Sequence, residues 1–255
     1  MNKILLSFDV EEFNLPLEHK INIDEEEQSE FTLTGLKKVL KILNKQKIRA
    51  TFFVTGNFAK TYPSVIKEIS GSHEIASHGL SHNLEDYSEE NAEKSKKILE
   101  KITGKQVNGF RMPRLKNVDK VSLANLGFKY DSSVSPSYIP GRYNNYFKTR
   151  KISVNGIYEV PISVLPVIRA PSWILFRILG LTYLKLLTKT SLKNPGFINV
   201  YIHPWEFNSL GGFSLPFYIR KINSGLKIQK ALEAYIVWCK KNGFHFLTFS
   251  EFLRL

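Results

Sequence analysis

The chain alternates short apolar runs with longer segments whose apolar residues recur every three or four positions. Runs such as Ile4–Phe8, Ala50–Val54 and Phe197–Ile202 are compact and rich in branched or aromatic side chains, which is typical of buried strands. Between the first two, Thr32–Lys47 keeps its apolar residues at helical spacing. The pattern therefore predicts strands and helices in alternation.

The predicted strands are Ile4–Phe8, Ala50–Val54, Glu74–Ala76, Val107–Arg111, Phe128–Tyr130, Ile157–Pro161, Phe197–Ile202 and Phe244–Thr248. The predicted helices are Thr32–Lys47, Ala59–Ser70, Glu89–Thr103, Val118–Asn125, Ser172–Leu187 and Gly225–Lys241. Because helices separate most of the strands, the predicted fold is α/β: a distorted (β/α) barrel of seven to eight strands in a single domain spanning residues 1–255. Loop excursions are expected at about 11–31 and 131–156, and the acidic run Asp24–Glu27 is interpreted as a solvated loop.

The net charge of +13 is concentrated toward the carboxyl end, where residues 165–255 hold 12 Lys/Arg against 3 Asp/Glu. This asymmetry indicates either an anionic partner or a plain solvated basic surface. The apolar segment Ser172–Leu187 is compatible with peripheral contact with an anionic membrane, and equally with packing on the barrel or with an oligomer contact. Nucleic acid is not expected, because no recognition motif accompanies the charge.

The expected location is cytoplasmic, with peripheral contact at the inner face of the membrane. The residues after Met1 lead straight into a strand, without the apolar region of a signal peptide. Runs of about 18 apolar residues, which a spanning helix needs, do not occur in the sequence. The single cysteine, Cys239, allows no internal disulfide, which fits a reducing compartment.

Polar side chains follow several of the predicted strands at their carboxyl ends, where the active sites of βα barrels lie. The segments are Phe8–Glu12, Ser77–His82, Phe110–Arg114, Tyr130–Ser133 and Tyr201–Trp205. Their convergence on one face of the barrel is the main sequence argument for an active site.

A divalent metal is expected on His78, His82 and a carboxylate. Two histidines four apart can share one metal, although alone they could equally be surface or capping residues. Asp9 and Glu11 lie on one strand face, where a cation would relieve their repulsion. Glu11 is the preferred third ligand and Glu12 the alternative. Three such ligands suit zinc, with cobalt, nickel and manganese left open.

Four further residues are assigned roles in hydrolysis. Asp9 would accept a proton from water as general base, and Arg111 would hold Asp9 ionised, unless Arg111 only forms a structural salt bridge. His203 would protonate the leaving group, with Asp131 orienting its ring, unless His203 is a satisfied core histidine. Trp205 is expected to form an aromatic wall for a sugar ring.

Other hydrolase chemistries lack their motifs. The metalloprotease helix requires Glu directly after the first histidine, and Gly79 occupies that place. Nucleophile elbows, P-loops and dinucleotide fingerprints are absent from the sequence.

Together these segments resemble the polysaccharide deacetylase family, the NodB-homology proteins of carbohydrate esterase family four. That family has an acidic pair at a strand end, H-[ST]-x-x-H, R-x-P-[YWF], an Asp-containing segment and L-x-H. The corresponding segments here, in order, are Phe8–Glu12, His78–His82, Arg111–Arg114, Asp131–Val134 and the strand end that leads through Ile202 to His203. Thr51–Val54 and His73–Gly79 are also similar to the family, and the resemblance runs from about residue 4 to 250.

The resemblance implies the same roles: Asp9 as base, Glu11, His78 and His82 as ligands, and His203 as acid. It implies removal of an acetyl group from an N-acetylated sugar of a surface polysaccharide or its lipid-linked precursor. Departures are the spread Asp-x-Glu-Glu cluster, Gly79 in place of Ser/Thr and Arg114 in place of an aromatic. The alternatives are a same-fold amidohydrolase acting on a non-sugar C–N bond, and a non-catalytic glycan-binding protein.

Overall fold

The protein is built around one curled sheet of mostly parallel strands flanked by helices. The computed structural model describes residues 2–83, 87–139, 143–166, 172–191 and 196–255. The strands are β1 (Asn2–Val10), β2 (Thr51–Val54), β3 (Glu74–Ser77), β4 (Gly109–Phe110), β5 (Tyr130–Asp131), β6 (Tyr138–Ile139), β7 (Tyr143–Asn144), β8 (Ser153–Asn155), β9 (Ile157–Glu159), β10 (Phe197–Ile202) and β11 (Phe244–Leu247).

The helices follow the strands along the chain in the manner of βα units. They are α1 (Leu15–Glu18), α2 (Glu25–Gln46), α3 (Gly56–Thr61), α4 (Pro63–Ser70), α5 (Glu89–Thr103), α6 (Lys120–Asn125), α7 (Ser172–Leu179), α8 (Leu181–Ser191), α9 (Phe217–Lys221), α10 (Leu226–Lys241) and α11 (Phe249–Leu253), with 3₁₀ turns at Pro113–Leu115 and Pro204–Phe207. In the described residues no helix has both the length and the apolarity needed to cross a membrane.

The sheet runs β10-β1-β2-β3-β4-β5-β9-β8, and β11 also pairs with β1. β11 lies beside Asn2–Leu5 and β2 beside Ser7–Val10, so both share one edge of β1. Eight strands are parallel, and β8 joins β9 antiparallel at the end. Ser163 closes the gap to β10 by donating its N–H to the Asn199 carbonyl at 2.9 Å. The predicted distorted (β/α) barrel in a single domain is confirmed.

Alternate side chains along β1 point to opposite faces of the sheet, one toward the helices and the other toward the barrel interior. Ile4, Leu6, Phe8 and Val10 are fully buried in the main hydrophobic cluster between sheet and helices. The intervening positions face the barrel interior, where polar residues near the carboxyl end of β1 are buried. One strand thus contributes apolar side chains to the core on one face and polar side chains to the barrel interior on the other.

Several predicted elements differ from the structure in their ends. Asp24–Glu27 is not a solvated loop: Asp24 accepts a hydrogen bond from Glu27 N–H at 2.7 Å and caps α2. Three acidic residues in that first turn also match the positive end of the helix dipole. The predicted helix Ala59–Ser70 is two helices, because Pro63 begins a new one.

Two other segments also differ. The predicted helix Ser172–Leu187 is interrupted at Gly180, whose φ is +55°. The excursion 131–156 is not a plain loop, since it contains the β6–β7 hairpin and the edge strand β8. These strands are two or three residues long, too short to show a periodic pattern.

Helix α2 packs directly against the backbone that follows His203. A Cβ built on Gly35 would lie 2.0 Å from the Pro204 carbonyl oxygen, so only glycine permits this approach. Alanine normally stabilises a helix interior by about 1 kcal/mol relative to glycine. Here Gly35→Ala should instead destabilise by about 1–3 kcal/mol, because backbone must move.

Chemical denaturation of Gly35→Ala and of Thr34→Ala, at the exposed neighbouring position, would measure this difference. We expect Thr34→Ala to leave the free energy of unfolding within about 0.5 kcal/mol. An unchanged or raised midpoint for Gly35→Ala would contradict the proposed close packing.

Candidate active site

The site lies at the carboxyl ends of the parallel strands, where β1, β3, β4 and β10 deliver polar side chains. Its centre is a buried group of Glu11, His78 and His82, whose candidate ligand atoms all lie within 4.8 Å of one another. The Nε2 atoms of both histidines are 3.1 Å from the same carboxylate oxygen, Glu11 Oε2. We refer to these three residues as the ligand triad.

Each histidine of the triad is oriented through its other ring nitrogen. His78 Nδ1 lies 2.9 Å from the Arg111 carbonyl oxygen and donates its proton there, so in the neutral ring Nε2 is the nitrogen that would bind a metal. His82 Nδ1 lies 2.9 Å from Asn14 Nδ2, which donates to it, so the neutral His82 ring carries its proton on Nε2, toward Glu11. Rotation of the Asn14 amide to present its oxygen would move that proton to Nδ1 and leave Nε2 for a metal.

The donor set of the triad fits a divalent cation. Burial is the main reason that the pKa of His82 falls to about 4, so this imidazole is neutral at pH 7. Burial alone would raise the pKa of Glu11, but the neighbouring histidines outweigh it and hold the pKa below its ordinary value. Two imidazoles and a carboxylate facing one point are the ligand types of zinc and of cobalt or nickel sites.

Glu12, the alternative ligand, is not part of the cluster that the triad forms. Its Oε1 accepts a hydrogen bond from the Thr55 hydroxyl at 2.9 Å. Burial raises its pKa. The structure therefore places Glu11 with the histidines and Glu12 in the wall behind them.

The turn between the two histidines explains the departure at Gly79. Its φ is +76°, a conformation that strains other L-residues. Its carbonyl oxygen accepts hydrogen bonds from the Gly56 N–H at 3.0 Å and from the Ser95 hydroxyl at 2.7 Å. Glycine thus lets the chain reverse and bring His82 back beside His78.

Asp9 and Arg111 form a buried pair beside the triad. Arg111 Nη1 donates to Asp9 Oδ1 at 2.6 Å and to the Ser7 hydroxyl at 2.9 Å. The remainder of the guanidinium is fixed by Ser132 and stacks over Phe53 at 3.9 Å. Such a charge-assisted hydrogen bond fixes the orientation of the buried carboxylate.

His203 reaches the site from the end of β10, with its Nε2 3.8 Å from Glu11 Oε1. Its Nδ1 lies 2.8 Å from Glu206 Oε1, which also accepts the His203 backbone N–H at 2.9 Å. Burial alone would lower the pKa of His203, but Glu11 and Glu206 outweigh it and raise the pKa to about 9. The ring is thus cationic at neutral pH in the metal-free protein.

The structure corrects the partner predicted for His203. Asp131 binds the Lys120 ammonium and the Ser133 hydroxyl, and Ser133 in turn accepts the Met112 N–H at 2.8 Å. The residue that contacts His203 Nδ1 is Glu206. Sequence reasoning missed Glu206, although its position three residues after His203 was a usable signal, since the 3₁₀ turn folds it back.

Trp205 does not form the predicted wall for a sugar ring. It is 5% exposed and lies parallel to the His203 ring, with centroids 4.9 Å apart. Its Nε1 donates to Glu11 Oε1 at 3.3 Å. The indole therefore supports the site from behind.

A titration tests the role of Glu206. In metal-free protein, Glu206→Gln removes the negative charge at His203 Nδ1, so the His203 pKa should fall by about 1–3 units from the native value near 9. NMR of the imidazole would measure this shift. Glu12→Gln, at a carboxylate bonded to Thr55, is the control, and an equal shift in both variants would contradict the assignment.

Part of the chain is similar to known polysaccharide deacetylases. Residues 27–130 match the family model described as polysaccharide deacetylase. The peptidoglycan deacetylase of Helicobacter pylori is 31% identical over 108 residues, which cover 39% of this chain and 37% of that protein. Over residues 27–130 the chain is therefore similar to the polysaccharide deacetylase family, the NodB-homology proteins of carbohydrate esterase family four.

Solved structures share the fold over nearly the whole chain. A candidate polysaccharide deacetylase from Mycobacterium smegmatis superimposes with a TM-score of 0.71 at 19% identity, covering 99% of this chain and 89% of that one. A family 4 acetyl xylan esterase from Clostridium thermocellum, solved with a cobalt ion, gives 0.54 at 17% identity, covering 99% and 90%. The matches to curated relatives span only about a third of those proteins' lengths.

Proposed function

We propose that this protein is a metal-dependent hydrolase that removes N-acetyl groups from an amino sugar of a surface polysaccharide or of its lipid-linked precursor. The observation that carries the proposal is the meeting of the ligand triad, the Asp9–Arg111 pair and the His203–Glu206 pair at one end of the barrel. A relative named a peptidoglycan deacetylase supports an N-acetylated glycan as substrate.

The ligand triad would hold the metal, for which zinc is the proposed identity. When bound, the ion would polarise the amide carbonyl and lower the pKa of a water molecule. With the triad as its protein ligands, the metal would keep a position for water or substrate, because a structural zinc site has four protein ligands.

The protein's own groups would move the protons. Asp9, oriented by the hydrogen bond that Arg111 donates at 2.6 Å, would accept a proton from the attacking water. His203, kept protonated by Glu206 at 2.8 Å, would donate a proton to the departing amine nitrogen as the C–N bond breaks. Water is consumed, and the products are acetate and a free amino sugar.

The two proton-transfer groups are well suited to opposite tasks. Asp9 is hydrogen-bonded to the Arg111 guanidinium and offers a carboxylate oxygen, whereas His203 is paired with the Glu206 carboxylate, which favours its protonated, proton-donating form.

Release of acetate from N-acetylglucosamine oligosaccharides, measured beside hydrolysis of a cyclic ureide, tests the proposed function. We expect acetate from the sugars and no reaction with the ureide. Hydrolysis of the ureide alone would favour the same-fold amidohydrolase. Sugar binding without turnover would favour a non-catalytic glycan-binding protein.

A further inference from the structure

Three helix termini meet at one corner of the molecule. Arg177 of α7 donates from Nε to the Asn223 carbonyl at 3.1 Å and from Nη2 to the Ile219 carbonyl at 3.3 Å. At the end of α7, a Cβ built on Gly180 would lie 3.9 Å from the Ala231 Cβ of α10. The end of α7, helix α9 and the start of α10 are therefore held together.

This corner exposes large apolar side chains. Ile178 and Leu179 at the end of α7 are 51% and 52% exposed, Phe217 at the start of α9 is 65% exposed, and Leu226 at the start of α10 is 61% exposed. We call these four residues the apolar corner. Single exposed apolar residues are ordinary, but a group at adjoining helix ends marks an interaction site.

The charge around the apolar corner has one sign. Arg220, Lys227 and Lys230 are exposed beside it. Between residues 177 and 230 the sequence has a single acidic residue, Glu206, and this residue is fully buried. The exposed charged side chains described between residues 177 and 230 are therefore all cationic, and Glu233, farther along α10, is paired with Lys45.

We propose that the apolar corner docks on the surface of an anionic lipid bilayer. Apolar side chains can enter the headgroup boundary while the surrounding cations meet anionic headgroups. A second copy of this chain fits less well, because two cationic corners would repel each other.

The corner is also connected to the candidate active site. Arg177 Nε lies 3.7 Å from Glu206 Oε2, and the same glutamate holds His203. Ile219 of α9 packs in the cluster that includes Trp205, which lies against His203. Docking here would bring the site near a glycan carried by a membrane lipid, an extension that rests on the proposed function.

Co-sedimentation of the full chain with lipid vesicles tests the docking. The probes are vesicles of phosphatidylcholine alone and of phosphatidylcholine mixed with phosphatidylglycerol, at low salt. One variant carries Leu179→Ser, Phe217→Ser and Leu226→Ser, and another carries Arg220→Gln, Lys227→Gln and Lys230→Gln. Matched controls are Phe147→Ser with Val154→Ser, both exposed elsewhere, and Lys60→Gln, Lys67→Gln with Lys94→Gln on α3–α5.

We expect the native protein and both controls to bind the anionic vesicles and not the neutral ones. The basic variant should bind about 100-fold more weakly, since each surface cation near the bilayer contributes about 1 kcal/mol, and the apolar variant should lose binding as well. No sedimentation of native protein, equal loss in the controls, or a corner variant that changes only the oligomeric state would overturn the proposal. Acetate release from substrate dissolved in detergent needs no docking on a bilayer. Activity in this assay without vesicle binding would therefore contradict the docking proposal alone and leave the proposed function standing.

Discussion

Asp9→Asn should lower kcat/KM for acetate release by about 10²- to 10⁴-fold, the range that general acid–base catalysis contributes. The amide keeps the size of the carboxylate but cannot accept a proton from water. It can still accept the hydrogen bond that Arg111 Nη1 donates at 2.6 Å. The fold should therefore persist, and the loss should appear in kcat more than in KM.

Metal content and unfolding separate this loss from a structural one. Asp9 lies outside the ligand triad, so Asp9→Asn should bind one metal equivalent, the same amount that we expect for the native protein. Retention of full acetate release by this variant would show that Asp9 is not the base. Loss of metal together with activity would show that Asp9 belongs to the metal site instead.

Glu11→Gln should weaken metal binding by more than about 100-fold, while Glu12→Gln should leave it almost unchanged. Changes outside the ligand set already cost about 10- to 100-fold in affinity, so loss of a ligand charge costs more. The two glutamates are adjacent, yet Glu11 Oε2 lies 3.1 Å from both imidazoles and Glu12 Oε1 lies 2.9 Å from the Thr55 hydroxyl. The pair is thus a matched control for charge and position in sequence.

Competition with a chromophoric chelator would measure both affinities, and acetate release would be measured in parallel. If Glu12→Gln lost the metal and Glu11→Gln kept it, the assignment of the third ligand would be reversed. If the native protein and both variants bound metal equally weakly, the proposed metal site would be wrong.

The sequence was sufficient to predict the architecture and the candidate site residues that lie at the ends of the strands. Glu11, His78, Arg111 and His203 each follow a parallel strand within one residue of its end, so strand prediction placed them on one face. The preference for Glu11 over Glu12 also followed from the period of two along β1, because Val10 and Glu12 share the opposite face.

The contacts that could not be predicted depend on short turns and on the packing of elements that are distant in sequence. Glu206 reaches His203 only because a 3₁₀ turn begins at Pro204, and Asp131 is drawn to Lys120, which is near in space but eleven residues earlier in the chain. Trp205 is a residue type that often stacks on sugar rings, which is why the sequence suggested that role. Its buried contact with Glu11 depends instead on the packing of α2 against the 3₁₀ turn that begins at Pro204. Hydrophobic periodicity contains no signal for such contacts.

Acetate release before and after removal of the metal tests the central claim most directly. Native protein would be stripped with a chelator, assayed on N-acetylated oligosaccharide, and assayed again after zinc is restored, with Glu11→Gln treated in the same way. The ligand triad of Glu11, His78 and His82 predicts no acetate from stripped protein, recovery with one equivalent of zinc, and no recovery for Glu11→Gln. Undiminished acetate release from the stripped native protein would contradict it.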